Sequence, residues 1–211
     1  MIAVIDSGIA NLRSVQKGFE RVGADARIVE DANALAGAGG IVLPGVGAFA
    51  DGIDKLLSHG FVEPLRRAIE QGTPVLGICL GLHFLFSESE EFGRHRGLDL
   101  LPGRVRRFDE AALVQPDPSV RLKVPHMGWN QVRIERPAPI LAGLPEDPFF
   151  YFVHSYYVEP ADPAVTAGTT EYGIRFTSII WQDNLFATQF HPEKSQATGL
   201  QLLRNFAALA H

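Results

Sequence analysis

The segment Gly77-Ile78-Cys79-Leu80-Gly81 places the single cysteine of the chain between two glycines. This G-x-nucleophile-x-G spacing is typical of a nucleophile elbow, a sharp strand-to-helix turn that holds a nucleophile exposed above a sheet. Glycine is needed on both sides because a Cβ there would collide with neighbouring backbone. Unpaired N–H groups at the start of the following helix favour the thiolate. The spacing therefore favours a nucleophilic Cys79 over the alternative, a buried structural cysteine.

A thiolate that attacks a carbonyl carbon needs an acid for the leaving group, and seven histidines are candidates. His191 lies in the sequence Gln189-Phe190-His191-Pro192-Glu193. Proline pushes the residue before it towards extended geometry, and residues two apart in an extended chain point to the same side. Glu193 can then orient the imidazole as the third member of a triad. The alternative is a surface His-Pro turn with a solvated glutamate.

An oxyanion that forms during such a reaction needs backbone donors. The elbow supplies one candidate, the N–H of Leu80. A second candidate is the N–H of Val46, because the glycines of Pro44-Gly45-Val46-Gly47 allow the backbone to approach a substrate closely. An ordinary glycine-rich turn remains the alternative for this second loop.

Short apolar runs alternate with segments of helical spacing through the first half of the chain. The strand candidates are Ile2 to Ile5, Ala26 to Val29, Gly40 to Leu43 and Pro74 to Ile78. Continuous rather than alternating apolar residues are typical of parallel strands that are covered on both faces. The pattern predicts an α/β fold with a doubly wound, mostly parallel, flavodoxin-like sheet.

The character of the chain changes after residue 97. The segments Arg104 to Phe108, Trp129 to Ile134 and Phe149 to Val158 are rich in β-branched and aromatic residues, which predicts additional antiparallel or mixed strands. Asp109 to Pro118 is predicted to be a surface loop. A closing helix is predicted after Ser195, its candidate N-cap. The apolar face of this helix is predicted to consist of Leu200, Leu203, Phe206, Ala207 and Ala210.

The chain has 211 residues, 46% of them hydrophobic, which suits one sizeable core, and we expect a single domain over residues 1–211. The formal charge is -5 without a long basic run, so nucleic acid is not an expected partner. No apolar run approaches the ~20 residues that span a bilayer, and the start Met-Ile-Ala-Val-Ile-Asp has no basic segment before an apolar stretch, so we do not expect export. A single cysteine precludes an internal disulfide and suits a reducing compartment. We therefore expect a cytoplasmic protein without membrane contact.

Metal and cofactor sites are not indicated by the sequence. One cysteine and scattered histidines offer no zinc-ligand spacing. We expect neither a metal nor a cofactor.

The elbow around Cys79, the Pro44 to Gly47 loop and the His191-Pro-Glu193 segment together resemble the triad-type (class I) glutamine amidotransferases over nearly the whole chain. Four motifs in order resemble, more narrowly, the glutaminase subunit of imidazole glycerol phosphate synthase. These motifs are Asp6-Ser-Gly-Ile-Ala-Asn-Leu-Arg-Ser-Val15, Pro125-His-Met-Gly-Trp-Asn130, Phe152-Val-His-Ser-Tyr156 and Gln189-Phe-His-Pro-Glu-Lys-Ser195.

The resemblance implies that glutamine is hydrolysed through a Cys79 thioester. It implies that the ammonia passes, sheltered from water, to a cyclase with a TIM-barrel fold, in a heterodimer. That cyclase would make imidazole glycerol phosphate and an aminoimidazole carboxamide ribotide in histidine biosynthesis. The implied substrate-binding residues are Gly47, His83, Glu91, His154, Ser155 and Tyr156. The implied partner-facing residues are Asn11, Trp129, Tyr151 and Lys194.

Simpler interpretations of the partner-facing residues remain open. Trp129 and Tyr151 can be ordinary core aromatics, and Lys194 a solvated charge, because cores as well as interfaces favour aromatic residues.

One departure from the family pattern concerns glutamine binding. The family usually continues the elbow as Met-Gln, whereas this chain has Leu82-His83. An imidazole cannot copy the paired donor and acceptor of a carboxamide. His83 can take the place of the glutamine side chain in binding the substrate, the affinity for glutamine can be weaker, or another ammonia donor can serve. The simplest alternative is that His83 is a helix residue that lines the pocket without contacting the substrate.

Three other functions fit parts of the sequence. The glutaminase of pyridoxal phosphate synthase shares the expected fold, but the Pro125 to Asn130 motif argues against it. A stand-alone cysteine hydrolase would need no partner-facing residues. A non-catalytic protein that binds and activates the cyclase is suggested only by His83, while the set Cys79, His191 and Glu193 argues against it.

Overall fold

The computed structural model describes residues 1–6, 8, 11–111, 113 and 122–210. Residues 7, 9 and 10 of the first motif, residues 112 and 114–118 of the predicted surface loop, and residue 211 lie outside the described residues. The α-helices are α1 (Leu12–Arg21), α2 (Phe49–Ser58), α3 (Val62–Glu70), α4 (Leu80–Phe84) and α5 (Gln196–Leu209). Short 3-10 helices span Ala32–Gly37, Pro139–Leu141, Pro163–Val165 and Pro192–Lys194.

The strands follow the predicted change of character along the chain. Those of the first half are β1 (Ile2–Ile5), β2 (Ala26–Val29), β3 (Gly40–Gly45), β4 (Val75–Cys79), β5 (Phe86–Ser89) and β6 (His95–Arg96). Those of the second half are β7 (Leu101–Arg107), β8 (His126–Gln131), β9 (Arg133–Ile134), β10 (Phe149–His154), β11 (Tyr156–Pro160), β12 (Thr166–Tyr172), β13 (Ile174–Gln182) and β14 (Leu185–Thr188).

A 12-stranded sheet runs through the molecule in the order β2-β1-β3-β4-β14-β13-β11-β7-β5-β6; β12 pairs with β13, and β9 pairs with β12. The neighbours from β2 to β14 are all parallel. Beyond β14 the pairs are antiparallel, apart from β5 with β7. The predicted mostly parallel sheet with additional antiparallel strands is confirmed.

Two apolar layers cover the two faces of the parallel strands. Successive side chains of β1 belong to opposite layers: Ala3 and Ile5 pack in one layer, and Ile2 and Val4 pack in the other. The first layer is completed by side chains of α2 and α3, and the second by side chains of α1 and α5. Because both faces are covered, every residue of β1, β3 and β4 is buried, as the continuous apolar runs predicted.

Strands β8 and β10 form a separate antiparallel ribbon. Their side chains alternate between two faces. Phe150, Phe152 and His126 are buried beneath the ribbon, whereas Met127 and Trp129 are exposed on its other face. The alternation thus leaves one apolar face of the ribbon uncovered.

The closing helix differs from its prediction in two respects. Its buried residues are Gly199, Leu202, Leu203 and Phe206, so the core-facing stripe is rotated from the predicted one, and Ala210 lies after the last helical residue. Ser195 occupies the N-cap position, but its hydroxyl makes no capping hydrogen bond. The hydroxyl is instead hydrogen-bonded to the strand β10 and to His191. None of the helices in the described residues is both long and apolar enough to cross a membrane.

Candidate active site

The carboxyl ends of β3, β4 and β14 meet at one edge of the sheet. Gly45 at the end of β3 is paired in register with Cys79 at the end of β4. Thr188 at the end of β14 is paired with Ile78, and His191 follows closely in the chain. Ligands of open α/β sheets bind outside the carboxyl ends of the strands, and this edge carries the predicted nucleophile, acid and glycine loop.

Cys79 stands in a strained turn between β4 and α4. Its backbone has φ 55 and ψ -108, a region that residues with a side chain rarely adopt. A Cβ built on Gly81 would overlap the carbonyl oxygen of Leu43, and one on Gly77 would lie 3.0 Å from the Gly81 carbonyl. The elbow therefore has the geometry that its sequence predicts, and the turn depends on both glycines.

His191 and Glu193 form a buried pair beside the elbow. The Nδ1 atom of His191 lies 2.8 Å from Oε1 of Glu193, and the two side chains are 4% and 1% exposed. The Nε2 atom makes no hydrogen bond of standard geometry within the described residues. Cys79 is nevertheless close enough to act on the imidazole. The carboxylate holds one nitrogen and leaves the other for the reaction centre, which is the arrangement that a triad requires.

The electrostatic surroundings favour a charged imidazole. Burial opposes the charge of His191, but the neighbouring side chains of Cys79 and Glu193 outweigh it and raise the pKa of His191 to about 10. Protonated His191 can stabilise a thiolate and can give a proton to a leaving amine.

Ser195 fixes the loop that carries His191. Its hydroxyl donates to the carbonyl of His191 at 2.6 Å and accepts from the N–H of Tyr151 at 3.0 Å. The N–H of His191 donates to the carbonyl of Tyr151 at 2.9 Å. The histidine is thereby tied to β10, so its position relative to Cys79 does not depend on the turn alone.

A pocket of about 580 Å³ opens above Cys79. Nearly all of the sequence-predicted site lines it. The predicted residues that line it are Val46, Gly47, Cys79, Leu80, His83, Glu91, His154, Ser155, Tyr156, His191 and Lys194. Glu193 lies behind His191 rather than in the wall. A pocket of this size holds a small amino acid in direct reach of the thiol.

His83 is buried in α4 with one nitrogen already engaged. Its Nε2 atom lies 2.9 Å from Oε1 of Gln189, and its Nδ1 atom has no hydrogen-bond partner within the described residues. Burial lowers its pKa to about 4, so the ring is neutral at pH 7. A single uncharged nitrogen is therefore all that His83 can offer a substrate.

Glu91 reaches the pocket from the turn after β5. Its Oε2 atom accepts a hydrogen bond of 2.8 Å from the N–H of Phe49, the first residue of α2. Burial raises its pKa, and this hydrogen bond opposes the rise. The carboxylate thus stabilises a helix N-terminus while lining the pocket.

Three of the predicted partner-facing residues lie outside this pocket. Trp129 and Tyr151 pair across the ribbon with ring centroids 6.2 Å apart, and Trp129 is 47% exposed. Asn11 lies at the start of α1, in a separate polar cleft beside Arg13 and Glu30. Lys194 lines the pocket itself.

Sequence reasoning missed several residues of the site. Phe92, which is 86% exposed, and Arg107 line the pocket, and Gln189 binds His83. Phe92 could have been predicted as a pocket residue, because it directly follows Glu91 in the sequence. Arg107 could not be found in this way, because only the pairing of β7 with β11 brings it to Tyr156.

Metal-binding geometry is not found in the described part of the chain, which brings no three His, Cys, Asp or Glu side chains together around a possible ion.

Comparisons with known proteins agree with this geometry. The model of the glutamine amidotransferase class-I family matches residues 3–209. An imidazole glycerol phosphate synthase subunit HisH of Syntrophotalea carbinolica is 58% identical over 206 residues, which cover 98% of each chain. The HisH subunit of Geobacter sulfurreducens is 51% identical over 208 residues, covering 99% of this chain and 98% of the relative.

Solved structures are similar in fold at lower identity. A crystal structure described as a glutamine amidotransferase matches with a TM-score of 0.74 at 19% identity and covers 100% of this chain and 99% of that one. The glutaminase domain of Trypanosoma brucei CTPS, solved with bound acivicin, matches with a TM-score of 0.67 at 20% identity, covering 99% and 92%. From the elbow, the buried pair and these similarities we conclude that the chain belongs to the class-I glutamine amidotransferase family and, within it, to the HisH subunits of imidazole glycerol phosphate synthase.

Proposed function

We propose that Cys79, His191 and Glu193 are the triad through which this chain hydrolyses glutamine to glutamate and ammonia. The single observation that carries the proposal is the buried hydrogen bond of 2.8 Å between His191 and Glu193 beside the strained Cys79 turn. A structural cysteine has no need of a positive φ or of a histidine–carboxylate pair beside it. The comparisons supply the reaction class, since the family consists of glutamine amidotransferases.

The reaction proceeds in two steps. The Cys79 thiolate attacks the side-chain carboxamide carbon of glutamine, and the resulting oxyanion is held by the N–H groups of Leu80 and Val46. Protonated His191 gives its proton to the nitrogen, the C–N bond breaks, and ammonia leaves a γ-glutamyl thioester. Water then loses a proton to His191 and attacks the thioester, which releases glutamate and restores the Cys79 thiolate beside protonated His191. Glu193 keeps the imidazole oriented throughout.

The head group of the substrate is held by residues that line the pocket. Glu91 and the backbone of His154, Ser155 and Tyr156 hold the glutamine head group, with Gly47 completing the wall. These assignments rest on the family resemblance and on the position of each residue in the pocket lining.

The ammonia is delivered to the cyclase subunit of imidazole glycerol phosphate synthase, which we take to be a TIM barrel, for histidine biosynthesis in the cytoplasm. Asn11, Trp129, Tyr151 and Lys194 are the proposed contacts. The exposed apolar face of the ribbon supports this, because Met127 and Phe149, which are 61% and 52% exposed, flank Trp129 and Tyr151 there. The cytoplasm keeps the essential thiol reduced.

Glutamate release by the purified chain, alone and with the cyclase and its nucleotide ligand, tests the proposal. We expect release that the cyclase stimulates and that Cys79→Ala abolishes. Release without any partner would indicate a stand-alone hydrolase. Release in neither state would overturn the glutaminase function and favour a non-catalytic role or an enzyme that uses free ammonia.

A further inference from the structure

Two buried histidines lie behind the β10 wall of the pocket, and the reaction above uses neither side chain. His126 on β8 and His154 on β10 are 3% and 6% exposed. The Nδ1 atom of His126 lies 2.9 Å from Nε2 of His154. His154 lines the pocket and His126 does not. The pair thus connects a pocket residue with the strand β8.

The partners of the pair determine where each hydrogen lies. The carbonyl of Tyr156 can only accept, so the Nδ1 atom of His154, 2.8 Å away, carries a hydrogen. In a neutral ring Nε2 of His154 is then an acceptor, and Nδ1 of His126 must donate to it. Nε2 of His126 in turn accepts from the amide of Asn130 at 3.2 Å, and that amide also donates to the carbonyl of Glu171 at 2.9 Å.

The surroundings keep both rings neutral. Burial lowers the pKa of His126 to about 4. Burial, followed by the charge of His126, lowers the pKa of His154 well below its ordinary value. A proton added to either ring would convert its acceptor nitrogen into a donor, which would then face the donor that it now accepts from. His126 is also fixed by stacking on Tyr172 and Phe152, with ring centroids 3.9 Å and 4.8 Å apart. Each nitrogen of the pair therefore has one partner and one direction of donation.

We propose that His126 is a positioning residue for glutamine binding, which acts through His154 on the backbone of Ser155 and Tyr156. Its donated hydrogen holds His154 in the Nδ1–H tautomer, and that hydrogen fixes the Tyr156 carbonyl. Without the hydrogen donated by His126, the ring of His154 can carry its own hydrogen on Nε2. The lone pair of Nδ1 then faces the Tyr156 carbonyl. This peptide lines the pocket, so its orientation sets the fit of the substrate. The inference rests on the proposed glutaminase function.

Three substitutions of His126 separate hydrogen bonding from packing. In His126→Asn the amide nitrogen lies near the position of Nδ1 and can donate to His154. In His126→Gln the amide lies near Nε2 and can pair with Asn130 but not with His154. His126→Phe keeps the stacked ring and loses both hydrogen bonds. His59→Phe, at the exposed end of α2, is the matched control.

The readout is the KM for glutamine and the kcat of each variant in complex with the cyclase. We expect a KM for His126→Asn within about threefold of the wild type, and a rise of about tenfold for His126→Gln and His126→Phe with little change in kcat. Wild-type KM in all three variants of an active enzyme would overturn the positioning role. So would a series in which Phe is nearest to the wild type and Asn farthest, because packing alone predicts that order.

Long-range proton–nitrogen NMR of the imidazoles tests the same inference without activity. We expect the Nδ1–H tautomer for both rings in the wild type, and loss of that tautomer at His154 in His126→Phe. An Nε2–H tautomer on either wild-type ring would overturn the inference. Absence of glutamate release by the wild-type complex would instead overturn the proposed function, and the positioning role with it.

Discussion

Histidines in this molecule are divided by their surroundings into two groups. Cys79 and Glu193, acting against burial, raise the pKa of His191 to about 10, whereas burial lowers the pKa values of His83 and His126 to about 4. One ring is charged for proton transfer, and the others are neutral for hydrogen bonding. The same residue type thus serves different roles within one pocket and its wall.

The free energy of unfolding should fall both above and below about pH 6.5, the ordinary histidine pKa. The raised pKa of His191 contributes stability that is fully present below pH 6.5 and is lost as pH rises towards about 10. The lowered pKa values of His83 and His126 contribute stability that is present above pH 6.5 and is lost as pH falls towards about 4. We expect the thermal midpoint between pH 5 and 9.5 to have a maximum near neutrality. His191→Gln should flatten the alkaline side; an unchanged alkaline side in this variant would contradict the assignment.

His83→Gln should improve glutamine binding. His83 has only Nδ1 left after its contact with Gln189, whereas a carboxamide can both donate and accept. We expect KM for glutamine to fall by about three- to tenfold, the value of one additional hydrogen bond, with kcat nearly constant. His83→Leu, which offers no hydrogen bond, is the control. Equal KM values for the wild type and both variants would mean that position 83 does not contact the substrate.

At the scale of elements, the elbow between β4 and α4 makes the strictest demand on sequence. Gly81→Ala places a Cβ on the carbonyl oxygen of Leu43, so we expect a loss of stability of about 3 kcal/mol and loss of glutamate release. Gly37→Ala is the matched control, because a Cβ there meets nothing within 4 Å. Chemical denaturation of both variants measures the difference. A Gly81→Ala protein as stable as Gly37→Ala would contradict the geometry given for the turn.

The elements that sequence predicted best are those set by local pattern. The strands β1, β3 and β4 follow from continuous apolar runs, and the elbow follows from the two glycines around Cys79. What could not be predicted depends on the partners that tertiary structure supplies. Ser195 was predicted to cap α5, but its hydroxyl binds β10 and the His191 loop instead. The contact of His83 with Gln189 joins positions 106 apart in the chain, beyond any local pattern.

At the scale of the whole molecule, we infer that residues 1–211 form one domain. β14, near the end of the chain, lies between β4 and β13 and so joins the first-half strands to the second-half strands. The two apolar layers also contain residues from both halves. A core that is shared in this way unfolds as a unit. We expect one calorimetric transition whose van't Hoff and calorimetric enthalpies agree; two separable transitions would contradict a single domain.

The most direct test of the central claim is a search for the covalent intermediate. The complex with the cyclase is mixed with glutamine, quenched in acid within the first turnovers, digested and analysed by mass spectrometry. A γ-glutamyl group on the peptide that contains Cys79, absent from Cys79→Ala, is the predicted result. Glutamate release by the Cys79→Ala complex, or a γ-glutamyl group on another residue, would contradict the assignment of Cys79 as the nucleophile.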